Sequence, residues 1–293
     1  MEQPFFFDPA TLDPLADEYG PGFNSARPFR NTVIDGFFPD QLLEEVISEL
    51  PGPEEWDKHP EWRNADRTDA KKLMVNRDWM LGPMTRHLLS QFNSASFVNF
   101  LEKLTLIDGL VPDPHFFGGG LHQIEAGGFL KVHADFNIHN RLKLDRRLNA
   151  ILYLNRDWDD AWGGHLEMWD RDMTHLVKRI APEFNRLVIF ETTDFSFHGH
   201  PDPLACPPGT RRRSLALYYY SNGRPEHERS GKHGTLHQVR PGEDFDPHAN
   251  QKIRQAEKEA ADKAVAARPT ITFRDFVPPV ASKLKAYIES KRS

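Results

Sequence analysis

The chain has 293 residues, of which 39% are hydrophobic and 27% charged, and a net charge of −6. That balance suits a folded globular protein with one large domain or two small ones, and it gives nucleic acid no support as the main partner. A single cysteine, Cys206, excludes an intrachain disulfide and any cysteine-held zinc or iron–sulfur cluster, and no stretch approaches the eighteen or so apolar residues that cross a membrane.

The first segment, MEQPFFFDPATLDP, lacks a basic region followed by a long apolar run, so no signal peptide is expected and a reducing, cytoplasmic setting fits. Residues 1–30 are rich in Pro, Phe and Gly and read as an irregular arm. NTVIDGFF (31–38) alternates like a strand. Pro39 opens a helix whose stripe is Leu42, Leu43, Val46, Ile47 and Leu50, stopped by Pro51 and Gly52. The charged stretch 53–72, with Trp56 and Trp62, reads as a loop, and two helical patterns follow between 84 and 106, the second capped by Ser94. From residue 112 the pattern changes to short apolar runs divided by Gly, Pro, Asn and Asp: GLHQIE, GGFLKVHADF, RRLNAILYLN, GGHLEMWD, THLVKRI, NRLVIFET and RRSLALYYY. Strands at that spacing predict a barrel or sandwich. Beyond 223 the chain turns polar, with helices expected over 248–267 and 278–290. The organisation predicted is an N-terminal arm with supporting helices (1–112), a β core (113–223) and a helical extension (224–293), together one catalytic unit.

Chemistry concentrates in FLKVHADFNIH. On a strand His133 and Asp135 share one face, together with Asn137. An imidazole and a carboxylate make two-thirds of the facial triad that holds non-haem iron. A third ligand is available in FSFHGHPDP, from His198 or His200. GTRRRSLALYYY follows, with Arg212, Ser214, Ala216 and Tyr218 on one strand face. A guanidinium turned inward is costly unless an anion meets it, and it binds a carboxylate through two parallel hydrogen bonds. The bland reading of the run is a solvated basic edge, which suits Arg211 and Arg213, and a one-residue slip in register would move the inward role from Arg212 to Arg213.

GGFLKVHADF, RRLNAILYLNRDWDDAWGGHLEMWD, FSFHGHPDP and RRRSLALYYY, in this order over residues 113–223, resemble the prolyl-4-hydroxylase-like branch of the 2-oxoglutarate/Fe(II)-dependent dioxygenases. The resemblance implies a mostly β protein with flanking helices around a double-stranded β-helix, or jelly roll. It implies iron(II), 2-oxoglutarate and dioxygen, with ascorbate as a further candidate. It assigns the metal to His133, Asp135 and His198, favouring His198 over His200 because it precedes a glycine. It assigns the far carboxylate of 2-oxoglutarate to Arg212, with Tyr153 of the YLN string beside it and Ser214 as a further donor. Gln123 falls ten positions before the first ligand, where many members carry a tyrosine, and Asn149 shares the strand face of Tyr153. The intact Asp135 implies hydroxylation rather than halogenation.

Substrate is the open term. By resemblance the substrate is a prolyl residue of a peptide or protein, with a small molecule, free amino acid or saccharide as the alternative. From another class, a cupin-like protein could use the same ligands for another metal, but it has no need of an inward arginine. Gly163 and Gly164 read as a turn or bulge, His139 as a loop residue, and His122, His165 and His175 as structural residues.

Overall fold

The computed structural model describes residues 5–59, 63–64 and 70–248. The helices are α1 (Pro9–Ser25), α2 (Asp40–Ser48), α3 (Pro53–Lys58), α4 (Pro83–Phe92) and α5 (Ala95–Thr105). The first strands are β1 (Asn31–Asp35), β2 (Arg63–Asn64), β3 (Ala70–Val75) and β4 (Leu110–Pro112). The core supplies β5 (Gly120–Ile124), β6 (Phe129–Ala134), β7 (Asp145–Tyr153), β8 (Leu166–Trp169) and β9 (Leu176–Ile180). It continues with β10 (Arg186–Glu191), β11 (His198–His200) and β12 (Arg212–Ser221), and β13 (Leu236–His237) follows. Each of the seven apolar runs beyond residue 112 forms a strand. No helix among the described residues is long and apolar enough to cross a membrane.

The strands form one antiparallel sheet in the order β1-β10-β7-β12-β5-β3-β6-β11-β8-β9. β3 is its seam. Leu73, Met74 and Val75 pair with Gln123, His122 and Leu121 of β5, while Ala70 and Lys71 pair with Leu130 and Phe129 of β6. The sheet curls over there, and its two halves meet face to face. Tyr153, Val188 and Phe190 from one half pack with Leu166, Met168 and Ile180 from the other. This is the expected jelly roll.

Strand alternation divides the larger half into two faces. Leu148, Ala150 and Leu152 of β7, Leu215, Leu217 and Tyr219 of β12, and Leu121 of β5 belong to one buried cluster with the helix residues Phe92, Phe97, Leu101 and Leu104. Each fully buried Leu or Phe contributes roughly 1.5–3 kcal/mol. The helix layer therefore carries much of the stability, which leaves the opposite face free for polar groups. That face carries Asn149, Ile151 and Tyr153 of β7, in register with Tyr218, Ala216 and Ser214 of β12.

Two readings of the N-terminal part are corrected. Residues 1–30 are not an irregular arm, because 9–25 form α1. Pro9 stands at its start behind the Asp8 cap, and Leu12, Ala16, Gly20 and Phe23 make a buried stripe. Gly20 lets α1 approach α5 closely: a Cβ there would come within 3.3 Å of the Leu104 carbonyl oxygen. Its prolines and glycines look like breakers in composition, yet proline suits a helix's first turn and glycine a tight crossing. The stretch 53–72 is not all loop either: it contains α3, with Trp56 buried, and the first residues of β3. Charged Lys71 and Lys72 hide the strand in the sequence.

Beyond β12 the chain returns to pair with β6 through β13. Leu236 and His237 pair with Ala134 and His133, Arg240 pairs with Asp202 at 2.7 Å, and Lys131 pairs with Glu243. Trp62 and the helices expected over 248–267 and 278–290 lie outside the described residues, apart from His248 itself.

Candidate active site

His133 and His198 are directly opposed residues of the antiparallel pair β6 and β11. Opposed side chains point to the same face, which here is the interior, and their ring centroids are 4.7 Å apart. Asp135, two residues on from His133 and just past the strand, joins them. One ligand atom from each of the three lies within 4.8 Å of the others. His133 Nε2 is 3.7 Å from Asp135 Oδ1, and His198 Nε2 is 3.6 Å from Oδ2. His200 is outside this cluster.

The outer contacts orient both rings. His133 Nδ1 lies 2.7 Å from the Lys131 carbonyl and His198 Nδ1 lies 2.8 Å from that of Ser196. A carbonyl only accepts, so each Nδ1 carries the proton and each Nε2 keeps its lone pair for a metal. Burial, followed by the neighbouring His133, brings the pKa of His198 down to about 4, so the ring is neutral at physiological pH. Burial alone would raise the pKa of Asp135. The charge of Arg146, together with the two imidazoles, overrides it and holds the carboxyl well below its usual range. Two imidazoles and one carboxylate brought together in this way are a donor set that fits iron(II).

Arg212 supplies the second half of the site. It is 4% exposed, its Nε donates to the Gly164 carbonyl at 2.6 Å, and its Nη2 donates to the Tyr153 hydroxyl at 3.2 Å. No carboxylate lies within ion-pair distance of it among the described residues, and burial lowers its pKa. Gly164 shapes the cradle. Its φ is +72°, and a Cβ would come within 2.6 Å of Leu204 and 3.0 Å of Arg212. Ser214 is buried between Tyr153 and His122 in the sheet register. This guanidinium, buried and without an acid, is suited to an entering carboxylate.

Arg213 points the other way. Its parity is that of Leu215, toward the helix layer, so the one-residue slip does not occur. Nor are its neighbours a solvated edge: Arg211 is buried and donates to Glu125 at 2.9 Å.

Gln123 is not in the site. It is opposite Arg213 in the register, so it shares that side chain's face, and its Nε2 donates to the Pro51 carbonyl at 3.1 Å. His122, opposite Ser214, takes the interior position, its Nε2 lying 3.2 Å from the Gly118 carbonyl. Burial, then the charge of Lys72, pushes its pKa well below the ordinary histidine range. Asn149 is in the site: its Nδ2 donates to Asp135 Oδ2 at 2.8 Å.

Arg146 escapes a reading of the sequence. It is 1% exposed, pairs with Asp135 Oδ2 at 2.9 Å, and lies 3.5 Å from the Tyr218 ring centroid and 4.6 Å from that of Phe136. It stands where the β12–β7 register shifts, opposite Tyr220. Such a shift breaks the alternation from which a facing would be deduced. His139 is the expected loop residue, its Nδ1 accepting from the Arg141 and Leu142 amides.

Residues 119–220 match the family described as the 2OG-Fe(II) oxygenase superfamily. Over 79 residues the chain is 37% identical to prolyl 3-hydroxylase OGFOD1 of Mus musculus, a match that spans 26% of this chain but only 14% of that protein. Among solved structures, a prolyl-4-hydroxylase of Pseudomonas putida aligns at 19% identity and a TM-score of 0.45, over 73% of this chain and 99% of its own. A prolyl 4-hydroxylase of Phytophthora capsici aligns at 16% identity and a TM-score of 0.49, over 75% and 68%. HygX of Streptomyces hygroscopicus, solved with nickel, 2-oxoglutarate and hygromycin B, aligns at 12% identity and a TM-score of 0.43, over 78% and 97%.

Proposed function

The chain belongs to the 2OG-Fe(II) oxygenase superfamily through residues 119–220, and from that premise we propose that it hydroxylates an unactivated C–H of a prolyl residue in a peptide or protein. The observation that carries the reading is the juxtaposition of His133, Asp135 and His198 with Arg212, a buried arginine that has no acid partner among the described residues. Iron(II) and dioxygen, with 2-oxoglutarate as co-substrate, supply the oxidising power: one oxygen atom enters the C–H, the other enters succinate, and carbon dioxide leaves. The residues of the chain bind and orient. His133, Asp135 and His198 would hold the metal, and Arg212 with Tyr153 would grip the far carboxylate of 2-oxoglutarate.

Charge supports the pairing. Asp135, Arg146 and Arg212 bring one negative and two positive charges to the interior. A divalent cation and a dianion entering together leave that sum unchanged. Either alone would shift a poorly hydrated interior by two charges, which is costly. The two are therefore expected to bind cooperatively.

The prolyl assignment rests on the 37% identity to a prolyl 3-hydroxylase, and on an apolar shelf beside Asp135. Phe117, 40% exposed, meets Phe136 edge-on at 5.5 Å. A saturated apolar ring suits such a surface better than a polyhydroxylated sugar does. The test begins with protein, Fe(II) and 2-oxoglutarate without oxygen, where a visible charge-transfer band is expected. Prolyl peptides are then screened for succinate release and a mass gain of one oxygen. No band in folded protein overturns the oxygenase reading. Turnover of saccharides or free amino acids, with none of peptides, overturns the prolyl one.

A further inference from the structure

The contacts around Asp135 are lopsided. Its Oδ2 takes the Asn149 Nδ2 donor at 2.8 Å and the Arg146 guanidinium at 2.9 Å. Each oxygen faces one ligand imidazole, Oδ1 that of His133 at 3.7 Å and Oδ2 that of His198 at 3.6 Å, but Oδ1 receives neither donor. Arg146 and Asn149 are themselves locked together, since Arg146 Nε and Nη2 donate to Asn149 Oδ1 at 3.0 and 2.7 Å. The guanidinium lies between the Phe136 and Tyr218 rings, and the Tyr218 hydroxyl is anchored on the Gly118 carbonyl at 2.8 Å. The triangle Asp135–Arg146–Asn149 is thus fixed on every side.

We propose that Arg146 and Asn149 are positioning residues that occupy Asp135 Oδ2 and leave Oδ1 as the single oxygen this carboxylate offers a metal. The inference rests on the iron(II)/2-oxoglutarate reading of the same site. Its physical content is a count of positions. A facial triad leaves three sites open, and a 2-oxoglutarate chelate with dioxygen needs all of them. A carboxylate free to turn and bind through both oxygens would take one away. Two charge-assisted or amide donors on the other oxygen prevent that turn.

The test uses Asn149→Ala, Arg146→Lys and Arg146→Met in the full chain. Calorimetry with Co(II) alone reports whether the three ligands still bind metal. The visible band on adding 2-oxoglutarate to the Fe(II) protein without oxygen reports chelation. Expected are retained Co(II) binding in Asn149→Ala with a weakened band, a further loss in Arg146→Met, and partial rescue in Arg146→Lys. Succinate release should fall about 10- to 100-fold, the usual cost of losing an outer partner of a metal ligand. Should Arg146→Met fail to fold, Asn149→Ala decides. A band of wild-type strength in folded Asn149→Ala overturns the proposal. If the wild-type protein itself shows no band, the oxygenase reading fails and the proposal fails with it.

Discussion

Replacing Arg212 by methionine separates two consequences of one buried charge. The side chain is 4% exposed, has no acid partner among the described residues, and holds only the Gly164 carbonyl and the Tyr153 hydroxyl. Removing one member of a buried, hydrogen-bonded charge pair costs about 2–5 kcal/mol, which weakens 2-oxoglutarate binding roughly 30- to 5,000-fold. The protein without ligand should behave in the opposite way. An uncompensated buried guanidinium is a burden, so the methionine variant should melt at the same temperature as wild type or higher. Anaerobic titration of 2-oxoglutarate into metal-loaded protein measures the first effect, and thermal melts with and without 2-oxoglutarate measure the second. Arg212→Lys should recover only part of the affinity, because an ammonium lacks the planar fork. Arg213→Ala, on the helix side, should change affinity less than about threefold, as surface and remote substitutions do. A larger loss from Arg213→Ala than from Arg212→Met would refute the facing deduced for β12.

Three further outcomes follow from the same geometry. Gln123→Ala should leave 2-oxoglutarate affinity unchanged, whereas His122→Ala should weaken it; the reverse result would overturn the register between β5 and β12. Gly164→Ala should cost about 1–3 kcal/mol of stability in chemical unfolding, from its left-handed backbone and from a Cβ placed 2.6 Å from Leu204. His198 has a folded pKa near 4 against 6.5 unfolded, so its contribution is complete above pH 6.5 and is lost as pH falls toward 4, by about 3 kcal/mol over that window. Urea unfolding of metal-free protein between pH 7 and 4 should show that decline, and a flat profile would contradict it.

The legible part of this molecule is what period and spacing carry. The spacing of apolar runs revealed seven of the eight strands β5 to β12, all but the three-residue β11, and strand parity put His133 and Asp135 on one face. The third ligand needed the topology: nothing local in HGH says that His198 stands opposite His133 across β6 and β11. Where the reading failed, parity was ambiguous or broken. Gln123 and His122 are adjacent in a strand with apolar residues on both sides, and only the partner register, Arg213 against Gln123, decides between them. Arg146 and Arg147 adjoin a register shift, so neither could be given a facing. α1 was obscured for a different reason: Pro9 sits in its first turn and Gly20 at its crossing with α5, and composition reports neither position.

The two halves of the site also lie on different halves of the sheet, and that separation explains why sequence distance was a poor guide. His133 and His198 project from β6 and β11, with Asp135 just past β6, while Arg212 and Ser214 project from β12 and Tyr153 from β7. β3 joins the halves by pairing with β5 through its last residues and with β6 through its first. A strand that reads as charged loop therefore helps set the spacing between ligand set and clamp. The first half of the chain contributes strands to the sheet and the apolar cover that leaves the opposite face free to be polar.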